Sequence, residues 1–361
     1  MKYKCLKVTT KKLQKLFIKL PSMIYSDDNL RDSKIEKQIL NKTHPLSSEF
    51  EIFPYLVLNE NKKPICRCIL TYYPNDPIAY LGFFDSLDNK TAVQEMLFEI
   101  KQKAIADKKE KIVGPIDASI FINYRFKIDR FDKTYTSEPY NKEYYPKLWE
   151  HSGFKICDKY VSNQLRKVEE TDNDARIEKI YNRLLNKGYI FISPTDESFD
   201  RNLSDVYDLM MDLYSDFSGY KKISKEQFLT IYSSLKHVLN YDMVKLAYKD
   251  DELQAFCICV PNYGTLTRGK LTLSKIAKIK KIKKSPTEYI VLYLGASPKA
   301  LGLGVTLVQI IRNMLCQNGC TSIGALIKEG NVTGELYKDL YIDKFEYVLM
   351  EFHLPKQKEN I

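Results

Sequence analysis

Glycine is scarce in this chain, with 14 among 361 residues, about 4% against the roughly 7% of an average protein. Long apolar runs are missing too: none approaches the ~18 residues that a membrane-crossing helix needs. The opening stretch, MKYKCLKVTTKKLQKLFIKL, is basic but has neither a long apolar core nor a small-residue cleavage site, so no signal peptide is expected. No Cys-x-x-Cys is present, no His/Cys cluster has zinc-like spacing, and His44, His151, His237 and His353 are scattered. No metal is expected on that basis. The eight cysteines read as buried free thiols, with Cys66/Cys68 and Cys257/Cys259 as Cys-x-Cys pairs in strand-like stretches. A cytoplasmic protein is the expectation.

What the chain does contain is apolar mass. Hydrophobic residues make up 44% of it, including 26 Tyr and 17 Phe, ample for packed cores. The length corresponds to about two domains. A formal charge of +10, from 56 basic and 46 acidic residues, favours an anionic ligand or surface without selecting one.

The order of elements repeats. In the first half, YLVLNENKKPICRCILTYY (55–73) reads as two strands around a turn at Asn59 to Lys63, and IAYLGFF (78–84) as a buried strand. Val93, Met96, Leu97, Ile100 and Ala104 mark a helix, with Thr91 and Gln94 as a capping box. KIVGPI is a further strand, YNKEYYPKLWEHSGF a short helix, and KICDKYVSNQLRKV a closing strand or hairpin. In the second half, MVKLAYKDDELQAFCICV (243–260) is the hairpin and YIVLYLGA (289–296) the buried strand. Leu307, Ile310, Ile311, Met314 and Leu315 form the helical stripe, which Gly319 is placed to cap. TSIGALI, NVTGELYKDL and FEYVLMEFHL then supply strand, short helix and strand. Each half reads as a mixed α/β domain with helices against a twisted sheet. The polar stretch 167–179 separates them, giving units at 1–168 and 180–361.

Three of the few glycines, Gly295, Gly302 and Gly304, fall within ten residues between the buried strand and a helix expected from about Val305. Glycine turns without a Cβ clash and lets a ligand approach the backbone. The unpaired N–H groups and the dipole of the helix start suit a diphosphate. A tight strand-to-helix turn with no ligand accounts for the glycines equally well. A Walker A loop would need Lys-Ser/Thr after Gly304, where Val305 stands, and the dinucleotide fingerprint lacks its third glycine.

The loop SPKALGLGVT resembles the acyl-CoA loop of the GNAT superfamily of N-acetyltransferases, whose pattern is roughly Arg/Gln-x-x-Gly-x-Gly/Ala after a strand. The preceding hairpin, the Asn-led GNVTGELYKDLY and the aromatic-rich final strand resemble the same family over about residues 200–355. Residues 45–165 look like a diverged copy, so the resemblance implies two tandem GNAT-like domains in an α/β, mixed-sheet fold. In this alignment Leu301 stands where the family has Arg or Gln, and Thr306 where it has Gly or Ala. The resemblance implies acetyl-CoA or another acyl-CoA as co-substrate and a small-molecule amine as acceptor. The backbone of Leu294, Gly295 and Ala296 would pair with the pantetheine arm. Leu301, Gly302, Leu303, Gly304, Val305 and Thr306 would hold the diphosphate, Lys299 would reach the adenosine phosphate, and Asn331 would face the arm.

Acyl transfer to an amine needs a base for the attacking ammonium and an acid for the leaving thiolate. The family often uses a helix Tyr as the acid, which points to Tyr337, with Tyr341 one turn later; Glu288 is the one base candidate. In the first half GFFDSLDNKTAV has no glycine beyond Gly82, and Asp85 and Asp88 oppose a diphosphate, so this half is expected to serve packing or acceptor recognition. GPIDASIFINYRF (114–126) is either a wall of the acceptor pocket or an ordinary strand and loop. The insertion RGKLTLSKIAKIKKIKK (268–284) carries eight basic residues and no acidic one, and reads as a basic helix that covers the sheet edge or docks an anionic partner. Two functions stay open beside N-acyl transfer: an aminoacyl-tRNA-dependent transferase and a non-catalytic acyl-CoA-binding or regulatory protein.

Overall fold

The computed structural model describes residues 2–355, apart from Asn173 and Asp216, and leaves the side chains of Val332, Thr333, Glu335 and Tyr337 undescribed. The first half runs β1 (Lys4–Lys7), α1 (Lys11–Lys19), α2 (Pro21–Ile24), α3 (Lys34–Leu40), β2 (Glu51–Leu58), β3 (Pro64–Tyr72) and β4 (Ile78–Ser86). It continues with α4 (Lys90–Ala106), β5 (Lys111–Gly114), β6 (Phe126–Lys127), α5 (Tyr145–Glu150) and β7 (Lys155–Leu165). The second half runs α6 (Ala175–Asn186), β8 (Ile190–Ile192), α7 (Phe199–Leu213), α8 (Lys225–Tyr232), β9 (Val244–Lys249), β10 (Glu252–Pro261) and α9 (Leu273–Lys284). It ends with β11 (Glu288–Ala296), α10 (Leu303–Asn318), β12 (Thr321–Lys328), a 3-10 helix (Val332–Leu340) and β13 (Tyr341–His353).

Local chemistry sets most of these boundaries. Lys62 and the Asp250–Asp251 pair take positive φ in the two hairpin turns. Gly319 closes α10 in the left-handed region at φ +62°. The α4 cap is Asn89, whose side chain accepts from the Ala92 N–H, rather than the Thr91/Gln94 box that the sequence pattern implies. An Asx residue in extended backbone makes the better cap, and it starts the helix two residues earlier. The polar stretch 167–179 is only half linker, since Asp174 caps α6.

All the strands form one sheet in the order β1-β2-β3-β4-β5-β13-β7-β12-β11-β10-β9-β8, with β6 beside β13. Most neighbours are antiparallel; β4–β5 and β11–β12 are the parallel pairs. The order shows an exchange that no local pattern reveals. The last strand of the second half, β13, pairs with β5 of the first, while β7, the last strand of the first half, pairs with β12 of the second. The two exchanged strands pair with each other along their length, from Tyr341↔Leu165 to Glu351↔Lys155. No helix among the described residues is long and apolar enough to cross a membrane. All eight cysteines are free thiols; Cys157 is exposed, while both Cys-x-Cys pairs are buried in β3 and β10.

β3 is buried at every residue, Arg67 included. Its guanidinium is held by Asp85 of β4 and Glu36 of α3, with Nε–Oδ2 at 2.9 Å and Nη2–Oε1 at 2.6 Å. Its Nη1 also donates to the Phe17 carbonyl at 2.9 Å. The α1–α3 segment is thereby tied to the first half, because Glu36 of α3 and the Phe17 carbonyl of α1 both bind this buried cation.

The first half is closed where β4 passes the 114–118 segment. A Cβ at Gly82 would lie 1.9 Å from the Ile116 carbonyl oxygen, which is backbone and cannot rotate away. Gly82→Ala is therefore expected to destabilise the protein by more than about 3 kcal/mol, read as a loss of soluble yield or an early denaturant midpoint. A wild-type midpoint would show that the two segments do not meet there.

Candidate functional site

β11 and β12 pair for only four residues, Glu288–Val291 against Thr321–Gly324, and then part. Both strands are bent where they separate. Against β10 the register steps from Cys259↔Val291 to Ile258↔Tyr293, which leaves Leu292 as a bulge. Against β7 the register of β12 shifts between Gly324 and Ile327, and Leu326 takes φ +59°. Its N–H donates to Ser162 Oγ at 2.9 Å and its carbonyl accepts from Arg125 Nη1 at 3.3 Å. A branched residue in that region carries strain of order 1–3 kcal/mol, and such bulges re-aim strands beside binding sites.

The split opens a cavity of about 310 Å³. Leu294, Gly295 and Ala296 of β11 line one side, and Gly324 to Lys328 with Asn331 line the other. Tyr214, Tyr220 and Tyr232 close it from the α7–α8 region, and Ile120, Phe121, Tyr124 and Arg125 reach it from the first half. The stretch 114–126 is thus part of this wall. The Tyr214 hydroxyl donates to the Leu294 carbonyl at 3.3 Å, and burial pushes that hydroxyl's pKa well up.

β11 runs on into Ser297–Gly302 and α10, which starts at Leu303, two residues earlier than the glycine pattern implies. The reason is Gly302, whose φ of +94° lets it serve as the helix cap. Ala300 and Leu303 bond within the loop, and the Thr306 N–H reaches the Gly302 carbonyl. Among the described residues, the N–H groups of Leu301, Gly302, Gly304 and Val305 have no acceptor in the chain. They carry the partial positive charge of a helix start.

The three glycines have different reasons. A Cβ at Gly295 would lie 2.6 Å from the Phe256 ring, so packing requires it. Gly302 is required by its φ and by Ile180 of α6, 2.7 Å from where its Cβ would stand. Gly304 has no such cause. It lies in the first turn of α10, and its Cβ would meet only Ala296 Cβ, at 3.9 Å.

Of the residues singled out in the sequence, Leu294, Gly295, Ala296 and Asn331 share the cavity. Lys299 and Leu301 are exposed on the loop, while Leu303 is fully buried in the core beneath α10. Thr306 is buried and lines a separate cavity between α6 and α10, so its hydroxyl does not join the loop's N–H groups. The Tyr337 side chain lies outside the described residues, and its backbone sits in the 3-10 helix after Asn331. Tyr341 begins β13 instead of continuing that helix. Glu288 stands at the far end of β11, where it accepts from Asn262 and Thr321. Seven strand steps of about 3.3 Å place it roughly 23 Å from Gly295. Sequence reasoning weighed the segment 114–126 as a wall without singling out Arg125, and passed over the tyrosines at 214, 220, 232 and 293. For the first three of these tyrosines the signal available was the aromatic density of 207–232, which has no period.

In the basic insertion, Arg268 is bonded to Asn29, Thr134 and Glu138, and so ties the second half to the first. Lys275 and Lys283 also bond to backbone carbonyls, and Ile279 is buried.

The first half's counterpart of the split is closed chemically as well as sterically. The Asp117 carboxylate accepts from the Phe83 N–H, a strand donor of the kind that β11 leaves open. Asp117 is itself paired with Arg31 at 2.9 Å, and Asp85 is held by Arg67. A cavity of about 210 Å³ remains there, bordered by α1–α3. Among the described residues no group of His, Cys, Asp or Glu is placed to hold a metal ion.

A bulged strand, a split parallel pair and a helix that starts beside the split define the GNAT fold. Two solved structures at a TM-score of 0.50 share this fold. A probable N-acyltransferase of Enterococcus faecalis V583 superposes with a TM-score of 0.50 at 10% identity, over 98% of this chain and 73% of that one. A GCN5-related N-acetyltransferase of Anabaena variabilis gives 0.50 at 9% identity, over the same shares. A tandem GNAT protein of the clavulanic acid biosynthesis pathway is similar over 99% of this chain and all of its own, at 9% identity and a TM-score of 0.49. No protein-family model and no curated protein matches the sequence.

The glycine assignments predict opposite signs. Gly302→Ala should destabilise the protein by about 1–3 kcal/mol, because alanine must adopt φ near +94°. Gly304→Ala should be neutral or stabilising by up to about 1 kcal/mol. Denaturant unfolding of the pair checks this, and equal losses would overturn it.

Proposed function

We propose that the protein is an acyl-CoA-dependent N-acyltransferase whose co-substrate lies between β11 and β12. The observation that carries this reading is Gly304. A glycine in a helix turn is less favourable than alanine by about 0.5–1 kcal/mol, and neither packing nor φ requires this one. It stands beside open N–H groups at the mouth of a strand split in the GNAT fold. A ligand that meets the backbone explains it.

In this reading the backbone of Leu294 to Ala296 faces the pantetheine arm, with Asn331 opposite. The free N–H groups of Leu301, Gly302, Gly304 and Val305 hold the diphosphate, and Lys299 meets an adenosine phosphate. The helix start at Leu303 shifts the family pattern by two residues, so that Lys299 takes the Arg/Gln place and Gly302 and Gly304 take the glycine places. The acceptor nitrogen, as the free amine, attacks the thioester carbonyl, a C–N bond forms, the C–S bond breaks, the nitrogen gives up a proton to solvent water, and the thiolate takes a proton. We assign that proton to Tyr337. The second unit, 180–361, is then the acyl-CoA-binding one, and the first, 1–168, supplies packing and the acceptor wall. Eight free thiols suit the cytoplasm.

Gly304→Val tests the cradle. A Cβ there would meet only Ala296, at 3.9 Å, and a branched side chain would cover the place where phosphate meets backbone. Losing two charge-assisted N–H bonds should weaken CoA binding by about 10²–10⁴-fold. Calorimetry with CoA reads this, and unchanged affinity would overturn the site. For the acid, Tyr337→Phe should lower kcat about 10²–10⁴-fold while CoA affinity holds; an unchanged kcat removes Tyr337 from the chemistry.

A further inference from the structure

We infer that the acceptor carries a carboxylate and that Arg125 binds it. This rests on the acyl-transfer reading and names the substrate class for the same cavity. Arg125 comes from the first half, is 4% exposed, and borders the strand split. Its guanidinium lies against two rings set at right angles to each other, 3.7 Å from the Tyr124 centroid and 4.1 Å from that of Tyr160. Among the described residues no carboxylate pairs with it. Nη1 reaches only the Leu326 carbonyl at 3.3 Å, and Nε is buried with no acceptor.

An arginine in that position is unusual. Buried charges are normally paired, and the other buried arginine of the first half, Arg67, has two carboxylates. Arg125 also borders the first-half cavity, but Glu36, Asp85 and Asp117 there are already bonded to Arg67 and Arg31. The two rings offset part of the cost but offer no in-plane acceptor, so the Nε edge of the guanidinium stays without one. A carboxylate fits that edge in bidentate fashion. Burial brings the pKa down to about 10, so the group stays charged at neutral pH. Its backbone is held at φ +73°, an unfavourable conformation for a residue with a Cβ.

The rest of the cavity agrees. Its other charged side chain among the described residues is Lys328, which Asp158 already neutralises at 2.7 Å. No Asp or Glu lines it among those residues, so an acceptor bearing only a positive charge would meet unopposed repulsion from Arg125. Phe121, Tyr214, Tyr232 and Tyr293 offer apolar and aromatic wall to the body of the molecule. An amine with a carboxylate and a modest apolar body, the amino acid class, fits this set.

The test uses the full chain and three probes, titrated by calorimetry with and without CoA: phenylacetate, uncharged phenylacetamide and inorganic phosphate. Phenylacetate should bind at least about 10-fold more tightly than phenylacetamide, and phosphate should not replace it. Arg125→Gln should weaken phenylacetate roughly 10- to 100-fold and leave phenylacetamide and CoA within about twofold. Equal affinity of the wild type for the acid and the amide overturns the proposal, as does a preference that survives in Arg125→Gln or a site that takes phosphate instead. The wild-type comparison stands even if Arg125→Gln fails to fold, and Arg125→Lys, which keeps the charge but not the fork, should recover part of the preference. CoA titrated alone separates the two readings: failure of CoA to bind sinks the acyl-transfer reading, and loss of acid selectivity with CoA bound sinks this one.

Discussion

The antiparallel ladder between β7 and β13 holds the molecule together. Each strand ends its own half in sequence, and each lies between the other and the sheet of the opposite half. Backbone hydrogen bonding continues through the join, so the halves share one sheet and do not merely touch. Tyr160 and Tyr347 sit opposite one another in the ladder, both fully buried. Beside them Tyr135 bonds to Ser162 and Tyr347, and Tyr347 donates to Glu138, which is paired with the buried Lys127 at 2.7 Å. A network this deep is tolerable only because nearly every member has a partner. It fixes the 114–138 region of the first half against the strands of the second, and that region carries Arg125 to the cavity.

The two halves put one architecture to opposite uses. Where β11 and β12 part, two bulges keep them apart and leave backbone donors free. Where β4 passes its neighbour, Gly82 lets the backbones close to contact and Asp117 takes the donor that would otherwise be exposed. The α1–α3 segment completes the closure through Arg31 and Glu36.

Much of this was legible in the sequence. Alternation and apolar runs located the hairpins, the buried strands and the two long helices, because strand and helix periods depend on neighbours close in the chain. The glycine cluster pointed to the loop, and the matching order of elements to a repeated mixed α/β fold. The strand exchange left no local trace, since β7 and β13 have the same alternation whichever half they join. Arg125 was hidden for a related reason: inside IFINYRF it reads as the polar residue of a strand, and only the tertiary arrangement strips it of a counter-ion. The α10 boundary was missed because pattern placed the cap by spacing, whereas the positive φ of Gly302 sets it.

The exchanged strand also orders events in time. During synthesis the first half emerges with β5 lacking the neighbour it has in the finished protein, since β13 is made only after residues 115–340. Domains generally fold one after another as they leave the ribosome. This chain cannot finish its first half that way: the central sheet, and with it the wall that holds Arg125, closes only when residues 341–353 arrive.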